Sequence, residues 1–373
     1  MSKKFLFIGH DATRTGAPII LLDLARWIKA TDPNIEIDFL LLAGGELEAL
    51  YREIGKVRIL FTPAYGILDR VARRLFSQKN LVKRLARTGR KYDAVLGNTI
   101  VSLPTLERLK KAGLRTICWA HELDYTIEVY LGVDEFRRLA RAVDFFIVPS
   151  QAVGEMLDRF DIDTERTVIS DFSTSPIDKV AAADLTSYGL AAEAFVVGAA
   201  GTIQWRKGVD LFIQAALLVS SQCPAIRFVW VGAQSADAAE AMQIDHDLRR
   251  LSGESLPVFI DATPDYRSIL AAFDIFALTS RSDASPVVVH EAAKLAKPIF
   301  CFADAGGTPE FVGSDAGVII PYADAGALAA AVIDGYRNPE RLAAQGAAAF
   351  KKVTTTFSEE ASCRAILQIL MEQ

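Results

Sequence analysis

Between Phe273 and Glu310 the chain runs strand, loop, helix, strand, loop, and no other stretch constrains its fold as tightly. Phe273 to Leu278 is a short apolar run of strand length, rich in aromatic and branched residues. The loop Thr279 to Ser285 follows. Ser285-Pro286 then predicts a helix start, with serine capping free amides and proline in the first helical position. Strands alternating with helices in this way build a parallel sheet, whose loops present themselves to ligands at the carboxyl edge. The amides of Val287 and Val288 would point into that loop with the positive end of the helix dipole, which suits a phosphate.

Glu291 is the odd residue on the helix. It lies four after Val287, three after Val288 and four before Leu295, on the stripe that should face the core. A carboxylate there is costly unless sugar hydroxyls, backbone amides or an arginine satisfy it. Asp283 stands in the preceding loop. Either acid alone is better read as a surface group. The two together, around a Ser-Pro helix start, read as part of a ligand site.

These residues resemble the donor-site signature of the retaining family 4 glycosyltransferases, whose fold is called GT-B. That signature is a glutamate, seven residues and a second glutamate; here Asp283 takes the first place and Glu291 the second. The family's later Gly-Gly-x-Pro-Glu loop matches Gly306, Gly307, Thr308, Pro309 and Glu310. The resemblance implies that Glu291 binds the ribose of a nucleotide sugar and that Asp283 contacts the transferred sugar. Upstream, the strand Phe195 to Ala200 leads into Gly201, and Lys207-Gly208 precedes the next helix. Family members place an arginine after that first glycine, and this arginine and the lysine hold the donor diphosphate. Thr202 occupies the arginine's place here, and Arg206, beside Lys207, supplies a second cation suited to phosphate. Gly232 ends the next strand, and Thr263 sits in the loop Asp261 to Tyr266, which should face the nucleotide base.

The first half is more generic. Lys4 to Gly9 reads as a strand, the loop His10 to Pro18 follows, and no G-x-G-x-x-G fingerprint supports a dinucleotide cofactor. Gly16 with Ala17 resembles the small-residue loop that the family places between its two substrates; Gly16 serves equally as a turn glycine. His121 directly follows the strand Arg115 to Trp119. The resemblance puts such a histidine near the transferred sugar and diphosphate; the alternative is a hydrogen-bonded core histidine. Phe145 to Pro149 reads as the last strand of this half, and residues 170 to 194 lack a strand pattern.

Length allows two domains, because single cores rarely grow past about 250 to 300 residues. With 51% hydrophobic and 23% charged residues the balance is that of a globular protein. The N-terminal apolar run stops at Gly9 and His10, too soon for a secretion signal. The four cysteines have no paired spacing, which suits a reducing compartment, and neither they nor the four histidines suggest a metal framework. One charge run stands out, with Arg70, Arg73, Arg74, Lys79, Lys83, Arg84, Arg87, Arg90 and Lys91, no acid, and interleaved leucines and valines. On a chain of net charge −5 it reads as an interfacial helix for an anionic membrane or as a solvated face. It lacks the stacking aromatics of a nucleic-acid site.

The expectation is therefore an α/β chain of GT-B type, with two doubly wound, Rossmann-like parallel-sheet domains facing across a cleft. Their bounds are an acceptor-side domain over 1–175, a hinge at 176–194, a donor domain over 195–352, and a helix over 353–373 returning to the first domain. The resemblance implies a cytoplasmic enzyme that moves a sugar from a nucleotide-diphosphate sugar to a glycan or lipid-linked acceptor. Transfer would proceed with retention, with no cofactor and no metal ion, at the inner face of the membrane if the basic run docks there. A non-hydrolysing sugar-nucleotide epimerase and a non-catalytic nucleotide-sugar-binding protein of the same fold are the alternatives.

Overall fold

The computed structural model describes residues 3–61, 92–163, 167–169, 180–232, 238–251 and 256–372. The basic run at 70–91 lies outside them. The chain divides into two compact units, one of Met1–Phe172 with Glu359–Gln373 and the other of Ser173–Ser358.

In the first unit, seven parallel strands form one sheet: β1 (Lys4–Gly9), β2 (Glu36–Ala43), β3 (Lys56–Phe61), β4 (Ala94–Asn98), β5 (Thr116–Trp119), β6 (Phe145–Val148) and β7 (Thr167–Ile169). Their order is β3-β2-β1-β4-β5-β6-β7. The second unit has β8 (Phe195–Ala200), β9 (Ile226–Val231), β10 (Val258–Ile260), β11 (Ile275–Leu278), β12 (Ile299–Phe302) and β13 (Gly317–Ile320), in the order β10-β9-β8-β11-β12-β13. Each sheet is doubly wound, as expected. The strand order reverses between β1 and β4 and again between β8 and β11, and at such a switch point the carboxyl ends open a crevice for ligands.

The strand sequences explain why the sheets are sandwiched. β1, β4 and β5 are buried at nearly every position, the pattern of parallel strands covered on both faces. In the second unit two apolar layers flank the sheet. One is built on the helix Val209–Ser220, where Phe212 meets Phe228 and Trp230 edge-on at 5.1 and 5.3 Å. Each such aromatic contributes roughly 2–3 kcal/mol through burial. The other layer gathers Val289, Ala292 and Ala293 from the helix Val287–Lys294, with Leu185 and Leu190 from the stretch expected to be a hinge.

Two expectations need correction. Phe145 to Pro149 is not the last strand of the first half, because Thr167–Ile169 pairs with β6 as β7. A three-residue strand is too short for its alternation to register in sequence; the neighbouring strand defines it. Pro286 is not the first helical residue either. The helix starts at Val287, and Pro286, extended at φ −73° and ψ 120°, holds the capping position. The last helix, Glu359–Met371, belongs to the first unit, where Arg115 donates to the Ile369 carbonyl at 2.6 Å. Among the described residues no helix is long and apolar enough to cross a membrane.

Candidate functional site

The second unit concentrates charge at its switch point. β8 ends at Ala200, and the loop beyond it carries Gly201, the half-buried Thr202, Arg206 and Lys207 before Gly208 opens the helix Val209–Ser220. β11 ends at Leu278, and its loop carries Asp283. Backbone contacts lace the two loops together. Arg281 N–H donates to the Arg206 carbonyl at 2.8 Å, and Thr279 Oγ1 donates to the Lys207 carbonyl at 3.0 Å. Only glycine fits at 208, where φ is 68° and a Cβ would lie 1.9 Å from the Thr279 carbonyl oxygen. Gly232 is fixed by packing: a Cβ there would meet the Gly201 carbonyl oxygen at 1.9 Å.

That lacing places Lys207 and Arg206 against Asp283. Lys207 Nζ donates to Asp283 Oδ2, which also accepts from Ser280 Oγ at 3.1 Å, and Arg206 Nη1 stands 3.4 Å from Oδ1. The pair is withdrawn from water, with side-chain exposures of 13% for Lys207 and 12% for Asp283. Burial lowers the Lys207 pKa, against the pull of Asp283. Burial works to raise the Asp283 pKa, but Lys207, Arg206 and Ser280 more than offset it, so the carboxyl stays ionised. Arg281 braces the loop from the other side, bidentate on Asp210 at 2.7 Å and 4.8 Å from the centre of the Trp205 ring.

The Gly-Gly loop joins the same edge. Asp283 N–H donates to the Ala305 carbonyl and Gly307 N–H to that of Ala284, so Asp283 and Gly306 extend the β11–β12 pairing past the strand ends. Glu310 is exposed on the short helix Thr308–Val312. Val287 and Val288 open their helix, and amides in these first positions have no intrahelical partner. Glu291, one turn on, is 4% exposed, and its Oε1 accepts from Tyr266 OH at 2.5 Å and from Arg267 Nη2 at 2.9 Å and Nε at 3.2 Å. The expectation of a satisfied carboxylate on the apolar stripe thus holds, with donors that the sequence did not single out. Thr263 shapes the turn before them, its Oγ1 accepting from Asp265 N–H at 3.3 Å.

In the first unit the corresponding edge centres on an uncharged pair, Asn98 and His121. Asn98, the last residue of β4, is fully buried; its Nδ2 donates to the Ala17 carbonyl at 2.8 Å. Its Oδ1 is therefore the acceptor for His121 Nε2, 2.7 Å away, which places the imidazole proton on Nε2. Burial, and then the nearby His10, lower the His121 pKa to about 3, so the ring is neutral at ordinary pH. Asn98 thereby ties Gly16-Ala17, at the start of the helix Gly16–Thr31, to His121. Glu122 Oε2 accepts from the Ile100 and His121 amides. Sequence reading passed over Asn98, His10 and Thr99. A cue for the first two was their place at the ends of β4 and β1. Thr99 has φ 74°, a strained conformation for a branched residue, which no sequence pattern announces.

The structure thus gathers Gly201, Thr202, Arg206, Lys207, Asp283, Val287, Val288, Glu291 and Gly307 along one edge of the second sheet. It places Gly16, Ala17 and His121 together in the first unit. No three His, Cys, Asp or Glu side chains among the described residues stand together as a metal ligand set.

Residues 194–338 match the family described as glycosyl transferases group 1. Over 119 residues, 31% of this chain, the sequence is 32% identical to the alpha-galactosylglucosyldiacylglycerol synthase of Streptococcus pneumoniae, and the match spans 30% of that relative's length. HepE from Anabaena, solved in complex with UDP and glucose, is 21% identical and superposes over 100% of both chains with a TM-score of 0.82. The sucrose-phosphate synthase of Thermosynechococcus elongatus is 16% identical over 98% of both chains, with a TM-score of 0.76. Residues 194–338 thus carry the sequence of the glycosyl transferases group 1 family, within a chain of GT-B fold.

Proposed function

We propose that the chain transfers a sugar from a nucleotide-diphosphate sugar to a glycan or lipid-linked acceptor, retaining the anomeric configuration and using no metal ion. The observation that carries this reading is the Arg206–Lys207–Asp283 cluster at the β8/β11 switch point, with the buried Glu291 one turn into the helix that follows the Asp283 loop. Breaking a glycosidic bond to a diphosphate moves negative charge onto the leaving phosphates. Lys207 and Arg206, with the amides of Val287 and Val288, would stabilise that charge where water is scarce. A diphosphate brings more negative charge than one carboxylate, so it would compete with Asp283 for Lys207. Asp283 is then both the counter-ion that orders the two cations and, by the family resemblance, a contact of the transferred sugar. Glu291 would accept from ribose hydroxyls, and the neutral His121 would meet a sugar hydroxyl.

Metal independence is supported by these cations, which bring to the diphosphate the charge a metal would bring; retention is supported by the resemblance. The lipid-linked acceptor is favoured by the partial likeness to a diacylglycerol glycolipid synthase and by the basic run at 70–91, which suits a peripheral position on an anionic membrane.

Turnover of UDP-, GDP- and ADP-sugars, followed as free nucleotide with glycan and lipid acceptors, tests the activity. Release that depends on acceptor is the expected result, and none with any donor would sink the reading. Rates unchanged by EDTA, and an NMR coupling that keeps the donor's anomeric configuration, are expected of a retaining, metal-free transfer. Co-sedimentation with anionic but not neutral liposomes is the expected signature of the basic run.

A further inference from the structure

We infer that Tyr266 and Arg267 are positioning residues that make Glu291 a selective acceptor for a ribose diol, so that the site takes ribonucleotides over their deoxy forms. This rests on the donor reading above and deepens it.

A carboxylate offers about four acceptor positions, two on each oxygen. In Glu291 three donors converge on Oε1: the Tyr266 hydroxyl and two N–H groups of the Arg267 guanidinium. Among the described residues no donor reaches Oε2. The side chain is almost fully enclosed, 5% exposed against 42% for Arg267. With Oε1 taken up by three protein donors, Oε2 is the oxygen left to accept from a ligand. Two adjacent hydroxyls, both O–H donors, are the complement of one such oxygen.

The two holders are built to stay donors. Burial, and then the Glu291 charge, push the Tyr266 phenol well above its ordinary pKa, so it keeps its proton. Burial disfavours the charged Arg267, but its bonds to Glu291 more than offset this. The residues are consecutive at the start of the helix Tyr266–Ala271, with the Arg267 guanidinium 5.7 Å from the centre of the Tyr266 ring. Their grip on Oε1 fixes the carboxylate plane and hence the direction in which Oε2 looks. Without it the carboxylate rotates, and hydroxyl contacts worth about a factor of ten or more in affinity are lost.

The probes are UDP, GDP and ADP, each beside its 2′,3′-dideoxy form, titrated calorimetrically against the parent, Tyr266→Phe, Arg267→Met and Arg267→Lys, with thermal unfolding as the check on folding. The parent should bind one ribonucleotide about tenfold or more tighter than its dideoxy form. Tyr266→Phe and Arg267→Met should lose most of that ratio while binding the dideoxy form as the parent does. Arg267→Lys, which keeps the charge but loses the planar fork of two N–H donors, should fall between. A ratio that survives in both folded variants overturns the inference, and so does an equal loss for the two sugar forms, which marks a merely structural role. A parent that binds no nucleoside diphosphate overturns the donor reading as well. A parent that binds one without regard to its hydroxyls overturns this inference alone.

Discussion

At the carboxyl ends of β8 and β11 the second unit gathers charge: Arg206, Lys207 and Asp283 in contact, with Glu291 held by Arg267 nearby. At the carboxyl ends of β1 and β4 the first unit gathers neutral hydrogen-bonding groups: Asn98, His121 with its pKa lowered to about 3, and His10 lowered by burial. The carboxylates beside them, Asp11 and Glu122, accept from backbone amides rather than from a buried cation. The strand order around the two switch points is the same, with the first and fourth strands of each unit side by side. The fold thus supplies the place, and the side chains grafted there supply the chemistry. Buried charge needs a partner in the protein or the ligand and suits a phosphate. A neutral imidazole and a carboxamide tolerate burial and suit hydroxyls.

The sharpest way to break this contrast is to remove the charge. Lys207→Met should lower transfer by about a hundredfold or more, the scale of losing one group that stabilises transition-state charge. It should also destabilise the protein by about 3 kcal/mol, because Asp283 is left buried without its main partner. Turnover and denaturant unfolding measured on the same sample check both, and full activity would mean that the cation is not part of the chemistry.

A smaller effect tests the lacing of the charged loops. Gly208→Ala forces a side chain onto the Thr279 carbonyl at φ 68°, and should cost roughly 1–3 kcal/mol of stability together with donor affinity. Gly113→Ala in the first unit, at φ 86° with nothing within 4 Å of the added Cβ, should cost about 1 kcal/mol, the conformational part alone. Urea midpoints of the two variants compare them, and equal losses would show that the close approach at Gly208 is unimportant.

The neutral site has its own pH signature. An unfolded histidine takes up a proton near pH 6.5, whereas folded His121 resists until about pH 3, so stability is lost as pH falls through that window. His121→Gln should make the acid limb of stability against pH shallower, and an unchanged limb would remove His121 from the linkage. The smallest effect is expected of Thr202→Arg. With Arg206 already beside Asp283, a further cation in the loop should change donor affinity less than about fivefold.

Much of the architecture was legible because its signals are local. Apolar runs of strand length, glycines at their ends and helical spacing in between recur through both halves, and burial on both faces follows from the apolar content. Lys207, Asp283 and Glu291 could be singled out because a charge at a strand end or on an apolar stripe is anomalous in one dimension. β7 escaped because three residues make no pattern, and the start of the helix at Val287 rather than Pro286 was decided by a single backbone conformation.

The sequence by itself determined the doubly wound strand rhythm and the kinds of group that reach the sheet edges, since both depend on neighbours in the chain. Only the tertiary structure decided how those groups pair. Lys207 meets Asp283 across 76 residues, Tyr266 and Arg267 converge on a single oxygen of Glu291, and Asn98 reaches Ala17 across 81 residues while holding His121. Such pairings are set by the order of strands in the sheet, which brings distant loops to one edge. The short-range pattern of residues carries no record of which of them will touch.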